Sequence, residues 1–180
     1  MTWTDADDTI DRCGCGMPAS SCESSEPVAR ITINQVPDIG YTPFQRRDFL
    51  PPKDPLSNEC GNSDGVSVVR CLNMTPSTIR LKSKGRATVA NYRRQLSGKP
   101  PNQKSKGALI AKVGDLRKIR VAGRPTAQVL YIYADPTLTE PEHAVIRLAA
   151  DVQEDEIAVV LAAVRGAFAN DENTLIANPS

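Results

Sequence analysis

Lysine and arginine carry most of the chemistry open to this sequence. Between Ser77 and Arg124 stand fourteen of the twenty-two basic residues and one acid, Asp115, a formal charge of +13 in a 180-residue chain whose total is +1. The stretch before it, Met1 to Pro76, has six bases and eleven acids, and the stretch after it, Pro125 to Ser180, has two bases and nine acids. A block of one sign repels itself and calls for counter-charge. Phosphate backbone is the commonest biological source, because each contact also releases condensed counterions. The expected chemistry is therefore electrostatic binding of nucleic acid.

Catalysis is not expected. The one histidine, His143, reads as an ordinary surface residue beside Glu142. No Gly-rich loop follows a strand and opens a helix, so phosphate-loop nucleotide folds are unsupported, and no spacing of acids and cysteines constrains a reacting centre. Cys13, Cys15 and Cys22 crowd the N-terminus, while Cys60 and Cys71 flank a turn. One C-x-C without paired C-x-x-C units or a nearby His is not the spacing of a zinc site. No metal and no cofactor are expected. The thiols either stay reduced or form disulfides outside the reducing cell.

To bind a polyanion the bases must be held together, and alternation suggests how. Ile79 and Leu81 alternate with Arg80 and Lys82, Leu109, Ala111 and Val113 with Ile110 and Lys112, and Ile119 and Val121 with Lys118 and Arg120. Period two means strands with one buried and one wet face. Arg80, Lys82, Asn91, Arg93, Lys112, Lys118 and Arg120 would then share one sheet face, and they form the expected RNA-binding set.

Residues 1–27, polar and acidic, read as an arm, and 28–180 as the domain. Val28 to Ile33 alternates and is β-branched, so it reads as a strand. Pro37, Pro43, Pro51, Pro52 and Pro55 then demand a long connection, before a second strand at Gly65 to Leu72. Closely spaced turn residues divide the basic stretch into strands near 77–83, 86–96, 107–113, 116–122 and 126–134. Turns so short join antiparallel neighbours. The last strand is apolar at nearly every position, as strands are that are covered on both faces or that pair with their own copy across an interface. Thr139-Glu140-Pro141-Glu142 looks like a helix-opening capping box, predicting a helix over 140–150. A second helix is expected at 155–169, opened by acids at 154–156, with Ile157, Leu161, Val164 and Phe168 as its stripe.

The expected architecture is α+β: an N-terminal hairpin, a five-stranded antiparallel sheet and two C-terminal helices. The second helix is apolar on more than one side, which calls for a partner copy. Val129, Tyr131, Tyr133, Ile157, Leu161, Val164 and Phe168 are the expected dimer interface. No apolar run approaches the roughly 20 residues that span a bilayer. The acidic N-terminus is neither a signal nor a transit peptide. The expectation is a soluble protein made in a cytoplasm, with no membrane partner.

This order of elements resembles that of the coat proteins of single-stranded RNA bacteriophages, the leviviruses. The local likeness runs from Gln128 to Ala169, where VLYIYADPTLTEPEHAVIRLAADV is similar to their last strand entering the first helix. VRGAFANDENTLIANPS resembles their final helix and tail. The resemblance implies an intertwined homodimer that assembles into an icosahedral shell, with packaged single-stranded RNA on the inner sheet face. It also implies a place in the virion, and for some members repression of translation through an operator hairpin. The chain departs from the family in the short connection at Ala122 to Pro125 and the long one at 97–107. The alternative reading is a small non-capsid RNA- or DNA-binding protein using the same basic surface.

Overall fold

The computed structural model describes residues 20–33, 66–123, 125–134, 136, 139–149, 152–153 and 155–168. Most of the N-terminal arm, the Pro-rich connection and the C-terminal tail lie outside these residues. The elements are β1 (Ser20–Ser21), β2 (Pro27–Ile33), β3 (Val66–Arg70), α1 (Pro76–Leu96), β4 (Ser105–Lys112), α2 (Val113–Arg117), β5 (Leu130–Ala134), β6 (His143–Leu148) and α3 (Ile157–Phe168). The fold is α+β, as the pattern implied. Its strands form one sheet in the order β1-β5-β6-β3-β2-β4, with antiparallel neighbours throughout.

The sheet is not a meander. β3 and β4 are both antiparallel to β2, which lies between them, so they are parallel to each other. Parallel strands need a crossover rather than a turn, and α1 supplies it. The strands expected near 77–83 and 86–96 are therefore one 21-residue helix. Its signals are local. Thr75 caps it by accepting a hydrogen bond from the Thr78 N–H at 3.2 Å, with Pro76 in the first turn, where its missing donor costs nothing. At the other end Gly98, at φ 69°, sends its N–H to the Gln95 carbonyl, and the Lys99 N–H reaches Arg94, the paired bonds of a Schellman ending. The residues near 73–76 and 97–98 that read as turns are the two ends of this helix, while Lys84-Gly85, which also read as a turn, lies within it.

Ile79, Ser83 and Ala87, four residues apart, are the buried side of α1. Ile79 packs with Ala29, Cys71 and Ala108. The Ser83 hydroxyl bonds Ser105 Oγ at 2.6 Å and donates to the Gly107 carbonyl at 3.1 Å. Gly107, at φ 97°, sits where the β2–β4 register shifts; a bulge of this kind favours glycine.

α1 lies on one face of the sheet, and α3 closes the other. Val160, Leu161, Val164 and Phe168 pack with Val28, Val66, Val68, Leu130, Ile132 and Ile146 and with Val113 and Leu116. The strand expected at 116–122 is replaced by α2, a single turn that drives Val113 and Leu116, three residues apart, into this core. The helix expected over 140–150 is a strand over His143–Leu148, paired to β3 on one side and β5 on the other. Ala144 and Ile146 face the α3 core, while Val145 packs with Tyr133 on the opposite face. A run apolar on both faces satisfies either period, so periodicity alone does not separate helix from strand. The earlier strands β2 and β3 do pair, but inside the main sheet rather than as an accessory hairpin.

Candidate nucleic-acid interface

Reassigning 76–96 to a helix redistributes the bases. Arg80, Lys82, Asn91 and Arg93 lie on α1, Lys112 ends β4, and Lys118 and Arg120 follow α2. They do not share a sheet face. Two groups result, both on elements that pack against the edge strand β4.

On α1 the expected set is only partly available. Asn91 is occupied: its amide donates to the Gln103 carbonyl at 2.8 Å and its Oδ1 accepts the Gln103 N–H at 2.7 Å. Lys82 pairs with Glu142 at 2.9 Å, and that hydrogen bond holds the Glu142 carboxyl below its ordinary value. Arg86 forks onto Glu140 at 2.9 and 2.8 Å. The two glutamates expected to open a helix thus clasp α1 to the connection before β6. Arg80 is half-buried, and Arg93 is exposed. Lys84 and Lys99, which strand reasoning passed over, are exposed as well. Helical spacing from the Thr75-Pro76 start would have found Lys84, while Lys99 lies just past the end of α1. Leu81, Val89, Tyr92 and Leu96 are 70%, 50%, 61% and 71% exposed, and their spacing sets them on the side of α1 away from Ile79, Ser83 and Ala87.

The second group is brought together. Lys112, Lys118 and Arg120 line one open hollow of about 580 Å³, with Ser24, Arg117 and Gln128 among its other walls. The hollow is held from beneath. The Val113 N–H donates to the Glu26 carbonyl at 2.9 Å and the Gly114 N–H to the Ser24 carbonyl at 2.8 Å. A Cβ on Gly114 would lie 2.8 Å from that Ser24 oxygen, so glycine lets the turn before β2 close on α2. Arg117 is 7% exposed and donates to Ser24 Oγ at 3.3 Å and to the Ile132 carbonyl at 3.4 Å. Arg120 donates to the carbonyls of Arg117 and Ile119 through one terminal nitrogen. Lys118, 80% exposed, pairs with Asp115 at 3.2 Å, and Asp115 is the one acid of the lining. Arg117, Gln128 and Ser24 had no signal in the linear sequence, because the hollow forms only when three separate segments meet.

The expected dimer residues are placed differently. Val129, Tyr131, Tyr133, Ile157, Leu161, Val164 and Phe168 are all at most 7% exposed within a single chain. Of the apolar surplus on α3 that called for a second copy, Val160 is taken up by the core of the single chain, while Val159 stays 56% exposed. His143 is not a surface residue of a helical turn: it is 8% exposed on β6, with Nε2 2.8 Å from Ser67 Oγ across the strands. Cys22 and Cys71 are buried, and neither is in a disulfide. Among the described residues, no cluster of His, Cys, Asp and Glu could hold a metal ion, and no helix is long and apolar enough to cross a membrane.

The arrangement offers cations held by rigid elements, with few acids facing them. No protein-family model matches the chain, and it matches neither a curated protein nor a solved structure.

Proposed function

We propose that this chain binds RNA through the exposed surface of α1, where Lys84 and Arg93 stand on opposite flanks, and the basic corner after β4. One observation carries the reading. Lys84 and Arg93 are exposed on α1 and Lys99 just past its end, while Lys112 at the end of β4 and Lys118 and Arg120 just after α2 are exposed beside them in sequence, and the chain's acids are concentrated outside that stretch. Such separation in a chain of net charge +1 favours a local polyanion contact over general stickiness. The binding is noncovalent and dominated by phosphate, with no cofactor.

In its more specific form the protein is a coat protein that dimerises, assembles into an icosahedral shell in the virion and packages single-stranded RNA. That form rests on the likeness of Gln128 to Ala169 to the levivirus family, although the part of it likened to the first helix is the strand β6 in this chain. A non-capsid RNA- or DNA-binding protein is favoured by a different observation: α3 buries Ile157, Leu161, Val164 and Phe168 against its own sheet, so one copy closes its core alone. Size-exclusion chromatography of the purified protein, read at 260 and 280 nm, separates the two. Particles visible by electron microscopy and carrying RNA support the coat protein. A nucleic-acid-free monomer that binds added RNA supports the binding module, and a monomer with no RNA affinity at low salt overturns both.

A further inference from the structure

The hollow beside α2 differs from the rest of the basic surface in being concave and braced. Four cations, Lys112, Arg117, Lys118 and Arg120, line it against the single acid Asp115. An open helix side meets a phosphate chain along a line, whereas this solvent-open hollow of about 580 Å³ is wide enough to admit a small ligand. Its walls are polar in a graded way. Exposed Lys112, Lys118 and Arg120 suit an anion. Ser24 and Gln128 add neutral hydrogen-bonding groups. Gln128 Nε2 donates to the Leu130 carbonyl at 2.7 Å, which fixes the amide's sense and leaves its oxygen the role of acceptor. Its partners are rigid: Arg117 is wedged between Ser24 and the β5 backbone, and α2 is pinned by buried Val113 and Leu116. The braced backbone sets where the exposed cations start from, and charge-assisted bonds from them to an anion are the strong ones.

We infer that this hollow seats a single nucleotide, its phosphate held by Lys112, Lys118 and Arg120 and its base within reach of the neutral walls. The inference rests on the RNA-binding reading and adds a register point to it: one nucleotide of the bound strand is gripped while the rest lies on α1. A phosphate monoester, free or at the end of a strand, presents the same chemistry as the bridging phosphate, so the test must tell these sources apart.

The test is an NMR titration of the full ¹⁵N-labelled chain with four probes: inorganic phosphate, uridine, uridine 5′-monophosphate and decauridylate. Saturable shifts at Ser24, Gly114 and Lys118 with the monophosphate are expected, with weaker ones from phosphate alone and none from uridine. Decauridylate should move the same amides together with those of Lys84 and Arg93. Lys118→Ala with Arg120→Ala should weaken monophosphate binding by roughly tenfold or more, leaving the amide spectrum of the sheet unchanged. If decauridylate binds and moves only α1, the hollow is not a nucleotide site and the RNA reading stands. If the monophosphate saturates the hollow and decauridylate does not bind, the site holds free nucleotides and the RNA reading falls. Monophosphate binding unaltered by the double variant overturns the assignment of the phosphate to these side chains.

Discussion

Glu26 is a carboxylate with 1% of its surface exposed, and Arg70 meets it with a fork of two hydrogen bonds at 2.5 and 3.0 Å. That hydrogen bond, against some desolvation, holds the Arg70 guanidinium above its ordinary value. The pair anchors the turn whose Ser24 forms part of the hollow, because the Glu26 carbonyl also receives the Val113 N–H. Arg70→Ala leaves a buried charge without its counter-ion and should cost about 3 kcal/mol, read as a fall in the urea midpoint. A loss under about 1 kcal/mol would mean that water replaces the guanidinium. Cys71 makes a second prediction at this scale. Burial, with the nearby Glu26 charge adding to it, pushes its thiol from 9.0 up to about 12, and its Sγ donates to the Val69 carbonyl at 3.4 Å. A folded-state value above the unfolded one favours the protonated form of the native protein. Its contribution to stability is therefore full below pH 9 and is lost as pH rises from about 9 to about 12. Cys71→Ala should flatten that alkaline decline in thermal melts, and the native thiol should react with maleimide at pH 8 far more slowly than the unfolded one.

Glycine shows at the element scale why part of the fold was legible in the sequence and part was not. Gly85 and Gly114 both read as turn residues, and neither makes a turn. Gly85 sits within α1 with nothing inside 4 Å of where a Cβ would be. The Gly85→Ala variant should gain about 0.5–1 kcal/mol, the propensity difference in an exposed helix. Gly114→Ala should instead lose stability and open the hollow, since its Cβ would meet the Ser24 carbonyl at 2.8 Å. Paired thermal melts that shift in opposite directions would bear this out, and melts that both rise would show the turn before β2 to be pliable. β2, β3 and α3 were readable because each has one period and a clean boundary. Val28 to Ile33 alternates between turn-rich segments, and α3 has acids ahead of a stripe at helical spacing. α1 was not, because its buried side is the small-residue series Ile79, Ser83 and Ala87, too weak an apolar signal to outweigh the alternation of Ile79 and Leu81. Leu81 proves to be 70% exposed. β6 failed for the opposite reason: being buried on both faces, it fitted the capping-box hint at Thr139 as well as a strand. The hollow could not be read at all, since its walls come from the turn before β2, from α2 and from the run into β5, segments far apart in sequence.

For the molecule as a whole, the question is whether a chain of total charge +1 can bind RNA by electrostatics. It can if the field near the contact is set by local charge, since the Debye length at physiological salt, about 8 Å, hides acids further away. The proposed contact uses six exposed bases, Lys84, Arg93, Lys99, Lys112, Lys118 and Arg120. At about 0.7 counterions per phosphate on a single strand, full engagement would give a slope of log K against log salt near −4. Removing two contacts should then reduce the slope by about 1.4. Lys118→Glu with Arg120→Glu should do at least that, measured by fluorescence anisotropy on labelled decauridylate across a salt series. Its melting temperature should fall by no more than a few degrees, because Lys118 pairs with Asp115 at the surface, an interaction worth at most about 1 kcal/mol, and the change at Arg120 removes its bonds to the Arg117 and Ile119 carbonyls, at about 1 kcal/mol each. The matching reversal on α1, Lys84→Glu with Arg93→Glu, should lower the slope by a similar amount, since counterion release counts phosphates and not which element holds them. A slope near zero in the unaltered protein would show that the net charge governs and that the basic stretch serves no polyanion. A slope that collapses for one pair and ignores the other would confine the contact to a single element, with the strand resting on α1 or in the hollow alone.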